Sequence, residues 1–314
     1  MTQNELNKII ENHQHYLNKD IDGWKSMRAD LSYKNLSGLD LKESNLREAN
    51  LNNVNLKKAN LRNADLRDAN LAYADLRNAN LREANLCRAF CCYANMRKAD
   101  LRNADFREAN LSNADLRNAI LKNVDLREAD LTEADLREAD LREADMYGAY
   151  CCYANLNGVD LRNADLSKAD IYAADLKEAN LLGTNLKNAN ISYAKINANT
   201  KIDYPIACSE TGSFIGYKKA GYEYIVKLQI CGDAKRSSAT TKKCRCSKAL
   251  VLSIENIDGS DSGLQEIESD FDSRFVYRVG EIAEVFDFDD NRWDECAPGI
   301  HFFMDRQDAV EYEL

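Results

Sequence analysis

From residue 29 to residue 195 a single five-residue register runs without an insertion: a small residue, Asp or Asn, Leu, then two variable residues. Ala134-Asp135-Leu136-Arg137-Glu138 is followed directly by Ala139-Asp140-Leu141-Arg142-Glu143. Stepping by five from Leu31 to Ile196 gives 34 central positions, of which 26 are Leu; the others are Cys91, Met96, Phe106, Met146, Cys151, Ile171, Ile191 and Ile196. The residue two before is Ala in 27 cases, and the residue one before is Asp or Asn in 30. Helix faces recur every 3.6 residues and strand faces every 2, so neither keeps every fifth residue on one core. A stacked solenoid does, with each pentapeptide forming one side of a coil. Leu and Ala then point inward, and Ala is small because two inward residues per side share a narrow interior. Asp or Asn is expected at the corner, where a short polar side chain can bond turn backbone.

The number of sides follows from the residue after each Leu. Every twentieth residue from Ser32 reads Ser32, Asn52, Ala72, Cys92, Ser112, Thr132, Cys152, Tyr172 and Ser192, all uncharged. The column from Lys42 reads Lys42, Arg62, Arg82, Arg102, Lys122, Arg142, Arg162 and Leu182, seven of eight basic. Periods of 15 or 25 would mix the two columns, so four sides make a coil. Residues 29–198 then make about 8.5 coils, a stack roughly 40 Å long at strand spacing.

The A-(D/N)-L-x-x repeat resembles the pentapeptide-repeat family. The resemblance implies a right-handed quadrilateral β-helix, an all-β solenoid. The family's best-known members resemble B-form DNA in size and charge and bind DNA gyrase, some conferring fluoroquinolone resistance. Two flanks are also similar to bacterial and phage proteins that join such repeats to a C-terminal domain of unknown function. These are Glu5-Leu6-Asn7-Lys8-Ile9-Ile10-Glu11-Asn12-His13 and Cys296-Ala297-Pro298-Gly299-Ile300-His301-Phe302-Phe303.

Three segments are expected: residues 1–28 as an N-terminal cap, 29–200 as the solenoid, and 201–314 as a small α+β domain. An open end coil would expose the Leu columns and unpaired backbone. Thr2-Gln3-Asn4-Glu5 has capping-box form, and Leu6, Ile9, Ile10, His13 and Leu17 follow at helical spacing, so residues 3–18 are read as a lid helix with Trp24 packed nearby. His13 and His15 are read as structural or solvated. The tail domain is expected to close the other end. In it, alternation around Tyr222 to Ile230 predicts a strand, as do residues 250–254, 275–279 and 300–303, with a helix over 305–312. Asp258 to Gly263 reads as a loop. Asp287, Asp289 and Asn291 have calcium-like spacing, but the Gly and closing Glu of an EF-hand loop are missing, so a solvated turn is expected.

Charge narrows the partners. The net −10 arises mostly in the tail, which holds 14 basic and 22 acidic residues, whereas the repeat holds 24 basic and 26 acidic. A near-neutral solenoid argues against DNA mimicry, which needs a negative face, and against nucleic-acid binding, which needs a positive one. Arg–acid neighbours such as Arg82-Glu83, Arg107-Glu108 and Arg127-Glu128 suggest a salt-bridged surface. The side bearing Lys57, Lys58, Arg77, Arg97, Lys98, Arg117 and Arg137 is the most basic. No apolar run approaches the ~18 residues of a membrane span, and the polar N-terminus does not read as a signal peptide. Ten Cys in this pattern suit neither a disulfide framework nor a small secreted domain, so reduced thiols and a cytoplasmic location are expected.

Two clusters are candidate sites. The first is the uncharged side, where the position after the Ser32 column adds Tyr33, Tyr73, Tyr93, Tyr153 and Tyr193. Phe90 and Tyr150 replace Asp or Asn just before the pairs Cys91-Cys92 and Cys151-Cys152. Phe90, Cys92, Tyr93, Tyr150, Cys152 and Tyr153 therefore lie on one side, three coils apart. Uncharged tyrosine-rich surface is typical of buried interfaces, here with the chain's own tail, a second copy or a protein partner. The second is Cys244-x-Cys246, which with Cys296 and His301 would make a Cys3His zinc set. The competing reading is separate core thiols and a core His, since the spacing matches no common finger. A Cys296–His301 nucleophile–base pair lacks a third orienting residue. Lys235 to Lys243 reads as a solvated basic loop. The combined expectation is a non-enzymatic interaction scaffold without a cofactor. The rival readings are a gyrase-binding DNA mimic, and a metal-binding or catalytic tail with the solenoid as spacer.

Overall fold

The computed structural model describes residues 1–203, 207–209, 211–289 and 297–313. They fall into two compact units, Met1–Tyr204 and Pro205–Leu314. In the first unit, single parallel bridges run down the repeat at intervals of 20 residues: Asp30 to Asn50, Asn50 to Asn70, Asn70 to Phe90, and onward to Asp170 with Asn190. Three further ladders begin at Asn35, Asp40 and Asn45 with the same interval. Four five-residue sides per coil follow directly. The Leu amide donates to the coil above, as in Leu71 N to Phe90 O at 2.7 Å, while Phe90 N reaches back to Ala69 O at 2.9 Å. Every coil is thus hydrogen-bonded to both neighbours, and only the end coils have orphan groups to satisfy.

The corner differs from expectation. Asp and Asn are the bridging residues, and the two variable residues form the turn, closed by bonds such as Ala114 N to Leu111 O at 3.0 Å. The Asx oxygen does bond turn backbone: Asp130 Oδ1 accepts from Thr132 N at 2.9 Å and Asn70 Oδ1 from Ala72 N at 3.1 Å. The second variable residue is left-handed, with φ of 58° at Tyr33, Glu128 and Glu138. An L-residue in that region costs roughly 1–2 kcal/mol, and the inter-coil ladder offsets it at each turn.

The interior is as predicted. The Leu column and its replacements Cys91, Met96, Phe106, Met146, Cys151, Ile171 and Ile191 are buried, together with most of the Ala column. Ile196, counted in the repeat, is exposed instead. The register breaks there: Asp175 bridges Lys195 at an interval of 20, but Asn180 bridges Lys201, one residue late.

Helix α1 (Gln3–Asn18) covers the first coil, with the Thr2–Glu5 capping box in place. Its side chains satisfy that coil's orphan backbone. Gln3 Oε1 accepts from Asp40 N at 2.9 Å and Gln3 Nε2 donates to Asp40 O at 2.8 Å. His13 is fully buried, with Nδ1 accepting from Ala29 N at 3.0 Å and Nε2 at 2.9 Å from Arg47 O. A carbonyl can only accept, so His13 is held neutral with its proton on Nε2. Burial also lowers its pKa. Trp24 packs on Tyr16 with centroids 5.8 Å apart.

The second unit is strand-rich. Its strands are β1 (Phe214–Ala220), β2 (Tyr224–Ile230), β3 (Arg236–Ser238), β4 (Lys243–Cys246), β5 (Lys248–Asn256), β6 (Glu266–Glu268), β7 (Val276–Arg278), β8 (Ile282–Glu284) and β9 (Ile300–Phe303), with one short helix, α2 (Arg306–Glu311). Seven form a sheet in the order β3-β4-β9-β1-β2-β5-β8, and β6 pairs with β7. One face buries Val226, Leu228, Ile230, Cys244, Cys246, Ile300 and Phe302. The other packs Ile225 and Phe303 against Ala309 of α2. Asp305 caps α2, accepting from Gln307 N and Asp308 N. The segment 235–243 is not a solvated loop: it holds β3, buries Ser237, Ser238 and Thr240, and ties Arg236 to the carbonyls of Ser209 and Cys231.

Candidate functional site

The side that carries the Ser32 column exposes a series of rings, interrupted at the turn positions between Tyr93 and Tyr153 by Asn113 and Glu133. Tyr33, Tyr73, Phe90, Tyr93, Tyr150, Tyr153 and Tyr193 are each more than half exposed. Tyr33, Tyr73, Tyr93, Tyr153 and Tyr193 sit at the left-handed turn position, where the side chain projects off the coil, and the 20-residue period places them in one column. Tyr73 and Tyr93 stack with centroids 5.0 Å apart and planes 3° from parallel. Tyr172, one residue earlier in its turn, meets Tyr153 edge-on at 5.6 Å and Tyr193 at 5.3 Å. Tyr172 belongs to this surface although the aromatic spacing does not single it out; its signal is being the one ring in the otherwise small Ser32 column. Ring pairs of this kind add about 0.5–1.5 kcal/mol beyond area and hold the side chains in place before contact.

Phe90 and Tyr150 occupy bridging positions, so their rings stand where neighbouring coils present Asp or Asn. Tyr150 and Cys152 line a shallow groove of about 340 Å³ with Glu108, Asn110, Glu128, Asp130 and Thr132. Partial burial and the Asp170 carboxylate push the Cys152 thiol up to about 11. It is therefore a protonated contact group at neutral pH rather than a nucleophile. Cys91 and Cys151 lie wholly in the core, where burial raises their thiols further.

Most arginines of the columns are neutralised, mainly by the Asp two residues before rather than by the Glu that follows; Glu83 pairs with Arg62 of the neighbouring coil and not with Arg82. Arg117 Nε and Nη2 bind Asp115 at 2.8 and 2.6 Å, and Nε lies 3.4 Å from Asp135 on the next coil. Arg107 pairs in the same way with Asp105 and Asp125, and Arg127 with Asp125 and Asp145. Hydrogen bonds from Arg142 hold the Asp140 carboxyl below the usual range against its partial burial. On the most basic side, Arg77, Arg117 and Arg137 are committed to Asp75, Asp115 and Asp135.

Of the Cys3His set, the described members Cys244, Cys246 and His301 do not converge. Cys244 and Cys246 share the core face, but β4–β9 pairing puts His301 opposite Arg245, Phe302 opposite Cys244 and Ile300 opposite Cys246. Alternation therefore turns His301 to the face away from both thiols. Cys296 and Asn291 lie outside the described residues, and among the described residues no three His, Cys, Asp or Glu side chains are grouped to hold a metal. His301 Nε2 is 3.1 Å from Ala297 O, and burial with nearby Lys243 pushes its pKa down to about 4. No helix among the described residues is long and apolar enough to cross a membrane.

A cavity of about 490 Å³ in the second unit went unmarked in the sequence, because its walls come from distant segments around Lys218, Phe271, Tyr277, His301 and Tyr312.

The profile of pentapeptide repeats matches residues 27–63, 64–103, 89–123, 109–146, 144–181 and 169–197. A family of unknown function, DUF5758, matches residues 204–309. Among solved structures, HetL, a pentapeptide repeat protein involved in heterocyst differentiation regulation in the cyanobacterium Nostoc sp. strain PCC 7120, is 30% identical. That likeness covers 61% of this chain and 97% of HetL, with a TM-score of 0.35. QnrB1, a plasmid-mediated fluoroquinolone resistance protein, is 18% identical over 55% of this chain and 92% of its own, with a TM-score of 0.38. A pentapeptide repeat protein from the Arabidopsis thaliana thylakoid lumen is 35% identical over 29% of this chain and 63% of its own, with a TM-score of 0.29. No curated protein matches the chain.

Proposed function

The chain belongs to the pentapeptide-repeat family, and from that premise we propose that it is a non-enzymatic protein-interaction scaffold that binds through the tyrosine-bearing side of its solenoid. The observation that carries this reading is the set of exposed rings Tyr73, Phe90, Tyr93, Tyr150 and Tyr153 on a side whose turn positions carry one charge, Glu133, where the other sides carry paired charges. Solubility alone favours charge on all four sides, and aromatic anchors on a rigid frame bind at low entropic cost. The winding is taken as right-handed and quadrilateral, and the location as cytoplasmic. Tyr93→Glu with Tyr153→Glu tests the reading: binding or self-association should fall at least about tenfold while the melting temperature holds, because both side chains already face water. Retained association in that double variant would defeat it.

Gyrase binding by DNA mimicry would need a run of unpaired carboxylates. Here most arginine columns are matched to aspartates on the same and adjacent coils. In a gyrase supercoiling assay, added protein should leave the rate unchanged.

A further inference from the structure

Lys218 lies in the middle of β1 on the face that buries Gly216 and Ala220, and it pairs in register with Val226 of β2. It is only 5% exposed. Among the described residues its ammonium group has no hydrogen bond and no ion pair; its neighbours are rings, Tyr277 at 5.8 Å and Phe271 at 6.0 Å from centroid to Nζ. Asp270, the acid that acts on it electrostatically, already accepts from Gly221 N at 2.6 Å. Burial lowers the lysine's pKa, and Lys243 adds to the effect. An amine buried without a partner is costly, so a core position that would take Leu or Met holds a destabilising group.

That group faces the 490 Å³ cavity, a size suited to a small organic molecule. Lys243 supplies a second cation, held by Tyr312 Oη at 3.2 Å with its Nζ 5.3 Å from the centre of the Tyr312 ring. Phe275, Tyr277 and Tyr312 give flat apolar walls. Asp272 also lines the cavity, but Arg274 binds both its oxygens, at 2.9 and 3.1 Å, and Asp287 is exposed. Among the described lining residues the cations are therefore Lys218 and Lys243, and the acids are paired or lie in solvent. His301 is neutral above its lowered pKa, and with Nε2–H given to Ala297 O it keeps Nδ1 as an acceptor.

We propose that this cavity binds a small organic anion, a carboxylate on a planar apolar body, with Lys218 as its ion-pairing residue. The carboxylate supplies the counter-ion that none of the described residues gives, and the aromatic walls cover the body. The site is independent of the tyrosine ladder, which lies in the other unit.

Benzoate and its neutral analogue benzyl alcohol serve as probes in titration calorimetry on the full chain. Benzoate should bind at least about tenfold more tightly than benzyl alcohol. Lys218→Met should abolish that preference and also raise the melting temperature of the ligand-free protein, since it removes an unpaired buried amine. Lys243→Met, at a half-buried position, should weaken benzoate binding with little change in melting temperature. Equal binding of the two probes, benzoate binding unchanged in Lys218→Met, or no benzoate binding up to about 20 mM would each overturn the proposal.

Discussion

The solenoid and the strand-rich unit solve the same problem in opposite ways. In the solenoid each inter-coil backbone bond joins residues about 20 apart, and the same five-residue rule is reused along the whole stack. In the second unit β9, from the end of the chain, inserts between β1 and β4, so the core depends on pairings such as Tyr217 with Phe303. Repetition spreads stability evenly and leaves whole sides free for contact. Long-range pairing concentrates it, and leaves a cavity where the strands and the β6–β7 pair meet.

The largest expected effect is at the centre of the stack. Leu116 is fully buried in a column with no space for a charge, so Leu116→Lys should cost more than about 4 kcal/mol. Arg117→Ala, one residue away on the surface, should cost no more than about 1 kcal/mol. Thermal melts of the pair check this, and similar midpoints would reject the inward–outward assignment. Next is Phe302, buried between Gly216 and Phe214. Phe302→Ala should cost about 3–5 kcal/mol, with hydrogen exchange rising in β1, β4 and β9 and not in the coils.

Acid should separate the two units in a graded way. His301 has its folded pKa depressed to about 4 from the ordinary imidazole value of 6.5. Its contribution is therefore complete above about pH 6.5 and is lost as pH falls from there through about 4, where only the unfolded chain has gained the proton. The loss is at most about 3 kcal/mol. His301→Phe should flatten that part of the stability–pH curve, and an unchanged slope would contradict the assignment. Burial lowers the His13 pKa too, so exchange in α1 should rise as pH falls below the ordinary imidazole value.

The smallest effect contrasts the turns. Glu138 is left-handed, so Glu138→Gly should be neutral or stabilise by up to about 1 kcal/mol. Gln229→Gly, in the middle of β2, should instead cost about 0.5–1 kcal/mol. Chemical denaturation of both variants measures the difference in sign.

Legibility followed the same divide. The coil size, the buried columns and the lid helix were readable because one period, tested many times, carries its own check. The strands expected at 222–230 from alternation, and at 250–254 and 300–303 from apolar runs, are present as β2, the longer β5 and β9, and β9 matched its predicted limits. Strand β1 was hidden by Lys218 and Lys219, which break the apolar pattern; Lys218 is the residue that faces the cavity and Lys219 bonds the carbonyls of Val310 and Tyr312. The zinc set failed because sequence spacing says that Cys244 and Cys246 share a face, but only the β4–β9 register says which face His301 takes. The left-handed turns were missed since Tyr, Glu and Lys fill a position where glycine is the usual signal.

The tyrosine ladder can be tested by placing a benzophenone side chain at position 93, on the uncharged side, and separately at position 117, among paired charges, in cells that natively make the protein. Illumination should give a discrete covalent adduct with a protein or a second copy from position 93 and none from position 117. Adducts of equal yield from both positions, or none from position 93, would contradict a recognition role for that side.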